Sequence, residues 1–184
     1  MDVKRSEDSN YKLQVIFHEL QNASRGFTGR GKAIYHNSDQ YEGDFVDGER
    51  DGKGLYTYAK GDRYDGDWKK NFRHGTGSMS YEGKGEYQGS WQYGKRHGEG
   101  KYMYQNGDYY SGSWRQGRRD GRGMYSFKKS GMRQMGLWID SKIVEGYWIY
   151  PNGLHFEGKF ENNRPVGAGV WHFRDGTKLE GLFE

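Results

Sequence analysis

The chain has no cysteine and only 2 prolines among its 184 residues. Without thiols, disulfides, thiolate nucleophiles and cysteine-held zinc are all excluded, and the usage suits a reducing compartment. Aliphatic side chains are scarce as well, so a conventional aliphatic core is not expected. No apolar run approaches the roughly 20 residues that cross a bilayer, and the opening MDVKRSEDSN lacks the apolar stretch of a secretory signal. These features read as a soluble, cytoplasmic protein. GxSxG, HExxH and Walker sequences are missing too. The net charge of +4, with a pI near 9.0, is far from the dense basic tracts of a dedicated nucleic-acid binder.

What the chain has instead is 31 Gly together with 6 Trp, 16 Tyr and 9 Phe. That many rings argue against disorder, because rings drive burial. Their placement is periodic. YEGDFVDGERDGKG begins at Tyr41, YDGDWKKNFRHGTG at Tyr64, YQGSWQYGKRHGEG at Tyr87 and YSGSWRQGRRDGRG at Tyr110, each 23 residues after the last. Later units begin at Gln134 after one inserted residue, at Phe156 after one deletion, and at Leu179. Upstream, Gly29 and Gly31 lie 23 residues ahead of Gly52 and Gly54, so GRGKAIY is the second half of a unit whose first half, around His18, is not recognisable. A period in this range implies a repeat array in which each unit touches its neighbours.

Within a unit the first residues alternate. Tyr87, Gly89 and Trp91 share one face and Gln88 and Ser90 the other, the pattern of a strand. The glycine between two rings is expected because a side chain there would collide with them. A second alternating run follows each GxG, as in Gly100, Tyr102 and Tyr104, so each unit reads as a hairpin. Asn106-Gly107, Asn152-Gly153 and Asp175-Gly176 join units, and the expectation is a tight turn with positive φ at both central residues. The fold class is therefore all-β, an elongated single-layer antiparallel meander of consecutive hairpins. Residues 24–184 form the array and residues 1–23 a capping segment. In that segment Leu13, Ile16, Phe17 and Leu20 fit helical spacing while Tyr11, Leu13, Val15 and Phe17 fit strand spacing; the short helix is preferred over the extended form.

The pattern YxGxWxxGxxxGxGxxxY resembles the MORN repeat, from about Gly26 to Glu184. The resemblance implies a twisted single-layer sheet with a groove. Gln134 in place of the opening Tyr, a missing first glycine in the GxG of that unit, and Met79 in place of a ring depart from the pattern and imply local irregularity. FENNRPVGAGVWHF is similar to the PVGxG variant in the terminal repeats of radial spoke head proteins, which implies a scaffold of the ciliary or flagellar axoneme.

The candidate partner-binding groove is lined by Trp68, Trp91, Trp114, Trp138, Trp148 and Trp171, with Tyr87, Tyr102, Tyr110 and Tyr125 on the same face. It would take a helix or an extended segment of another protein, since exposed apolar patches mark interaction sites. Internal packing of the same rings is the competing reading. Cations in the loops within units, Arg73, Lys95, Arg96, Arg118 and Arg119 together with Arg50, stack by periodicity into a basic edge. That edge reads as solvated charge, or alternatively as a dock for an acidic tail or for anionic lipid headgroups of a membrane. Nucleic acid is not expected, because the rings neighbour other rings. His74 and His97 recur at one repeat position, two strands or roughly 9–10 Å apart, too far to share a zinc; they read as solvated loop histidines. No metal, cofactor or catalytic residue is expected. The opening strand LEGLFE lacks a hairpin mate, and unpaired edges recruit strands, so pairing with another subunit, with a second copy or with residues following Glu184 is anticipated.

Overall fold

The computed structural model describes residues 11–15 and 25–184. Its described elements are all strands: β1 Tyr11–Val15, β2 Gly29–Tyr35, β3 Gln40–Val46, β4 Glu49–Thr57, β5 Arg63–Lys69, β6 Phe72–Tyr81, β7 Gly85–Gln92, β8 Lys95–Tyr104, β9 Tyr109–Arg115, β10 Arg118–Ser126, β11 Arg133–Ile139, β12 Lys142–Ile149, β13 His155–Glu161, β14 Arg164–His172 and β15 Lys178–Phe183. Pairing is antiparallel and strand order follows chain order, as in a meander. Contacts divide the chain into two compact units, residues 1–82 with 92–94 and residues 83–91 with 95–184. The preferred N-terminal helix is overturned at Tyr11–Val15, a strand whose backbone pairs with β2 from Tyr11↔Tyr35 to Val15↔Gly31. Ile16, Phe17, His18 and Leu20 lie outside the described residues.

Ring alternation builds the core on one face. Tyr41, Tyr64, Tyr87, Tyr110 and Phe156 have no exposed surface, and Phe45, Trp68, Trp91, Trp114 and Trp138 are buried beside them. Each opening tyrosine meets the aromatic residue four positions on edge-to-face, with centroids 5.0–5.2 Å apart in the Tyr41–Phe45, Tyr64–Trp68, Tyr87–Trp91 and Tyr110–Trp114 pairs. Such pairs add about 0.5–1.5 kcal/mol beyond area burial.

The tyrosine ring lies across a pair of facing glycines. In register, Gly43 opposes Gly54, Gly66 opposes Gly77, and Gly112 opposes Gly123. A Cβ at Gly66 would sit 2.5 Å from the Gly77 Cα, and one at Gly123 2.2 Å from the Tyr110 hydroxyl. Any side chain at either place would lift the ring off the backbone.

Hairpin tips are two-residue turns with positive φ at both centres: Lys70-Asn71 at 47° and 69°, Gln116-Gly117 at 52° and 87°, Asp140-Ser141 at 48° and 69°. This is the primed geometry that matches strand twist. The connections between units differ from expectation. At Asn106-Gly107, Asn152-Gly153 and Asp175-Gly176 only the glycine has positive φ. The physical reason is a side-chain turn: Asn106 Oδ1 accepts from the Asp108 N–H at 3.0 Å, Asn152 Oδ1 from Leu154 at 3.1 Å, and Asp175 Oδ1 from Thr177 at 2.9 Å.

The first glycine of each GxG makes a bulge. In β3–β4, Asp51, Gly52 and Lys53 oppose the single residue Asp44, with Gly52 at φ 106°. Where Val144 replaces that glycine, the β11–β12 bulge shrinks to one extra residue, Val144 itself, because a β-branched side chain disfavours positive φ. That is the irregularity of the Gln134 unit, in which Gln134 is itself buried; in the Tyr64 unit Met79 on β6, opposite Tyr64, takes the place of a ring and is buried at 2% exposure.

Gly66→Ala and Gly123→Ala are each expected to destabilise the protein by about 1–3 kcal/mol through overpacking. Gly181→Ala, whose Cβ would meet nothing nearer than Phe183 at 3.7 Å, should change stability little. Urea titrations of the three variants check this.

Candidate functional site

The ring face is closed by arginines drawn in from the hairpin tips. Arg50, Arg73, Arg96 and Arg119 lie within β4, β6, β8 and β10 and not in loops, and all four are only half-exposed. Their guanidinium groups sit over rings: Arg50 4.6 Å from the Trp68 centroid, Arg96 4.3 Å from Trp114, Arg119 4.6 Å from Trp138, and Arg73 5.8 Å from Tyr64. Each arginine also forms a reciprocal clamp with the next tip. The Arg96 carbonyl accepts from the Gly117 N–H at 2.9 Å while its guanidinium donates to the Gly117 carbonyl at 2.8 Å. Arg50 with Asn71, Arg73 with Gly94 and Arg119 with Ser141 repeat the arrangement. One unit later the place is taken by Ile143, which is fully buried.

The tryptophans join successive hairpins by the same logic. Their Nε1–H groups donate to a carbonyl of the preceding hairpin at 3.0 Å: Trp68 to Gly54, Trp114 to Gly100 and Trp138 to Gly123. Opening tyrosines donate within their own strand, Tyr41 to the Asp44 carbonyl and Tyr64 to that of Asp67, both at 2.9 Å. Burial pushes the hydroxyls of Tyr41, Tyr64 and Tyr110 above the usual phenol range, so they stay protonated donors.

Of the residues expected to line a groove, Trp68, Trp91, Trp114, Trp138, Tyr87, Tyr102 and Tyr110 are therefore buried, while Tyr125, Trp148 and Trp171 are half-buried. The Trp148 Nε1 is shielded from solvent without a hydrogen-bond partner. Of the expected basic edge, Arg73, Arg96 and Arg119 are folded onto the rings and Lys95 and Arg118 remain exposed. Arg118 Nη1 lies 2.7 Å from Asp140 Oδ1. His74 and His97 prove to be half-buried strand residues whose Nδ1 atoms are shielded and unpartnered, not solvated loop histidines. The described residues contain no group of three or more ligands suited to a metal ion.

Buried carboxylates tie the connections together. Asp39 accepts from the Tyr56 hydroxyl at 2.8 Å and the Ala59 N–H at 2.8 Å, and Asp108 accepts from the Tyr125 hydroxyl at 2.9 Å and the Lys128 N–H at 2.8 Å. Burial alone would raise both pKa values; the hydrogen bonds outweigh it and hold both carboxyls below the usual range.

The opposite face shows a feature not singled out in the sequence. Met135 and Leu137 on β11 are 43% and 40% exposed and stand beside half-buried Met124 and Tyr147. A depression of about 800 Å³ lies over them. It runs on through Glu145 and Tyr147 into a second of about 540 Å³, lined by Glu157, Lys159, Val170 and Glu180. The signal was available: matching positions in earlier units carry Glu42, Asp65 and Ser111 where β11 has Met135, and Asp44, Asp67 and Ser113 where it has Leu137.

The family model described as MORN repeat matches residues 41–63, 64–85, 87–109, 110–132 and 156–178. The hairpin β11–β12 falls between the last two matches. Among solved structures, the chain is similar to the TCP domain of Drosophila melanogaster SAS-4 (dCPAP), solved in complex with a proline-rich motif of Ana2 (dSTIL); identity is 19%, the TM-score 0.52, and the match covers 84% of each chain. The TCP10c domain of Drosophila melanogaster Sas-4 matches at 18% identity and TM-score 0.32, covering 72% of this chain and 93% of that one. No curated protein sequence matches significantly.

Arg96→Ala is expected to cost about 1–3 kcal/mol, combining a cation–π contact with a charge-assisted hydrogen bond. Arg96→Lys should recover less than half of that, because a point charge cannot both cover the ring and clamp the carbonyl. Chemical denaturation measures both. A second expectation concerns acid. A depressed folded pKa contributes stability above the unfolded value of about 3.9, which is lost as pH falls through the folded value. Asp108→Asn should therefore lower the melting temperature at pH 7, and its gap from the unmodified protein should narrow below about pH 4. Thermal melts from pH 2 to 7 decide this.

Proposed function

The chain belongs to the MORN-repeat family, and from that premise we propose that it is a non-catalytic scaffold that docks other proteins, as a component of the radial spoke head of the ciliary or flagellar axoneme. MORN repeats and meanders of this kind are non-enzymatic domains. The observation that carries the scaffold reading is where the chemistry-bearing side chains go. Arginines, tryptophan indoles, tyrosine hydroxyls and buried aspartates make bonds that join one hairpin to the next. What stays open is extended surface on the faces of the sheet.

The axonemal part rests on PVGAG at 165–169, which is similar to the terminal repeats of radial spoke head proteins. The protein-docking part is supported by the fold neighbour, SAS-4, whose TCP domain was solved with a proline-rich motif of another protein. On the ring face a partner would meet the half-buried Tyr125, Trp148 and Trp171, reachable without unstacking the rings of the earlier hairpins. The edge of β15, which pairs with β14, is a further docking position for a second copy, another subunit or residues following Glu184. The lipid alternative has less to draw on, because the guanidinium groups of Arg73, Arg96 and Arg119 are committed to rings and carbonyls.

Affinity purification of the tagged full chain from ciliated cells, with partners identified by mass spectrometry, is expected to recover radial spoke components. Their consistent absence would remove the axonemal reading. In parallel, flotation with vesicles containing anionic lipid should show no salt-sensitive binding; strong binding at low salt that disappears at high salt would favour the membrane instead.

A further inference from the structure

We infer that the face opposite the rings, across β9–β15, is a docking site for an amphipathic helix of another protein, with an apolar stripe and basic residues toward one end. The site is distinct from the ring face, and it leans on the scaffold reading only for the premise that a protein partner exists.

The first argument is that folding does not require the apolar residues there. Met135 and Leu137 occupy repeat positions that carry Glu42 and Asp44 in β3 and Asp65 and Asp67 in β5, and those strands hold the same place in the ladder, with glycine facing glycine between the two rungs as Gly43↔Gly54, Gly66↔Gly77 and Gly136↔Gly146. At the rungs of β3 and β5 that match Met135 and Leu137 the side chains are polar and partly bonded among themselves, although Val46, Leu55 and Phe72 share the face: Asp44 Oδ2 accepts from the Lys53 N–H at 3.0 Å, and Lys53 pairs with Asp67. Two large apolar side chains, each about two-fifths exposed, therefore bring no evident gain to the hairpin that carries them. Register places Met135 opposite Met124 on β10 and opposite Tyr147 on β12, and Leu137 opposite Arg122 and Glu145. Adaptable methionines next to a tyrosine make an apolar seat able to fit a partner's side chains.

The second argument selects the occupant. Strands β10–β14 are paired on both sides, so their backbone groups are used in the ladder. An extended peptide lying across these strands would find no backbone partner in the seat and would bury its own amides unsatisfied. A helix satisfies its backbone internally and needs only an apolar stripe. The two depressions share Glu145 and Tyr147 and run from Ser111 on β9 to Glu180 on β15. Crossing those strands at about 4.8 Å each gives roughly 29 Å, the length of a helix of about 19 residues.

Charge sets the polarity of the fit. The apolar seat occupies the β10–β12 half, whereas the β12–β15 half carries exposed Glu145, Glu157 and Glu180 against Lys159. Lys159 faces Glu145 in register, leaving Glu157 and Glu180 in excess. Glu157 accepts from the Tyr147 hydroxyl at 3.1 Å, which sets the carboxylate beside the tyrosine that the two depressions share. A matching helix carries its apolar residues over Met135 and Leu137 and its lysines or arginines over Glu157 and Glu180.

The test uses the full chain as bait against a display library of random 20-residue peptides. Enriched sequences are expected to show apolar residues at i, i+3, i+4 and i+7 with basic residues clustered at one end, and to become helical on binding by circular dichroism. Binding of an enriched peptide should weaken at least tenfold with Leu137→Glu and about fivefold with Glu180→Lys, and stay within twofold with Val46→Glu, an exposed control on β3. Thermal melts confirm that each variant is folded; Glu180→Lys, fully on the surface, remains informative if Leu137→Glu is not. No enrichment, enrichment of proline-rich or aperiodic sequences, or binding indifferent to both Leu137→Glu and Glu180→Lys overturns the inference. These outcomes are independent of whether spoke components co-purify, so the axonemal reading and the helix site stand or fall separately.

Discussion

Close approach of two backbones at facing glycines governs this molecule. A tyrosine ring can lie flat over Gly43 and Gly54, or over Gly112 and Gly123, only because neither position carries a Cβ. With the ring flat, its edge meets the aromatic residue four positions on, its hydroxyl reaches a backbone carbonyl, and a guanidinium closes over the top. Glycine in a strand carries an entropic cost of about 0.5–1 kcal/mol relative to alanine, and ring burial on this scale exceeds it. The layer replaces the aliphatic core that the composition does not provide.

Coupling between hairpins is local and repeated. Each arginine clamp and each indole hydrogen bond spans one connection, so stability is expected to grow as a sum of nearest-neighbour terms. The array is not uniform under this rule. At β11–β12 the ring is replaced by Gln134, the arginine by Ile143 and the bulge glycine by Val144, so the hairpin still takes the Arg119 clamp from the unit before it but places a buried apolar side chain where its neighbours place the next arginine. The family pattern passes over this hairpin while the backbone keeps its place in the meander.

Much of the fold was legible because strand alternation and the 23-residue period are carried by residue types with few other uses: rings and glycines. The reason for the glycines could be stated in advance, since steric exclusion needs no coordinates. Other features were hidden for identifiable reasons. Turn tips such as Lys70-Asn71 and Asp140-Ser141 contain no glycine, so their positive φ is imposed by strand twist and not announced by composition. Asn106 looked like part of a primed turn, but its side chain competes for the backbone N–H two residues on. Arginines beside loop residues suggested solvated charge; register opposite an inward-facing ring, as in Phe45↔Arg50, Trp68↔Arg73 and Trp114↔Arg119, puts them on the ring face. The one sequence clue was Ile143 at the fourth arginine's successor position, an apolar residue that marks the place as interior. At the N-terminus two periodicities coincided, and pairing with β2 decided for the strand over Tyr11–Val15.

Because one side of the sheet holds the hairpins together, the other side is released from that duty. Substitutions such as Asp to Leu at its rungs can accumulate without disturbing the ladder, as Asp44 and Leu137 illustrate at equivalent places. The outward rungs thus behave as a rewritable address printed on an invariant frame, and divergence between relatives should gather there, altering whom the protein meets while leaving how it folds untouched.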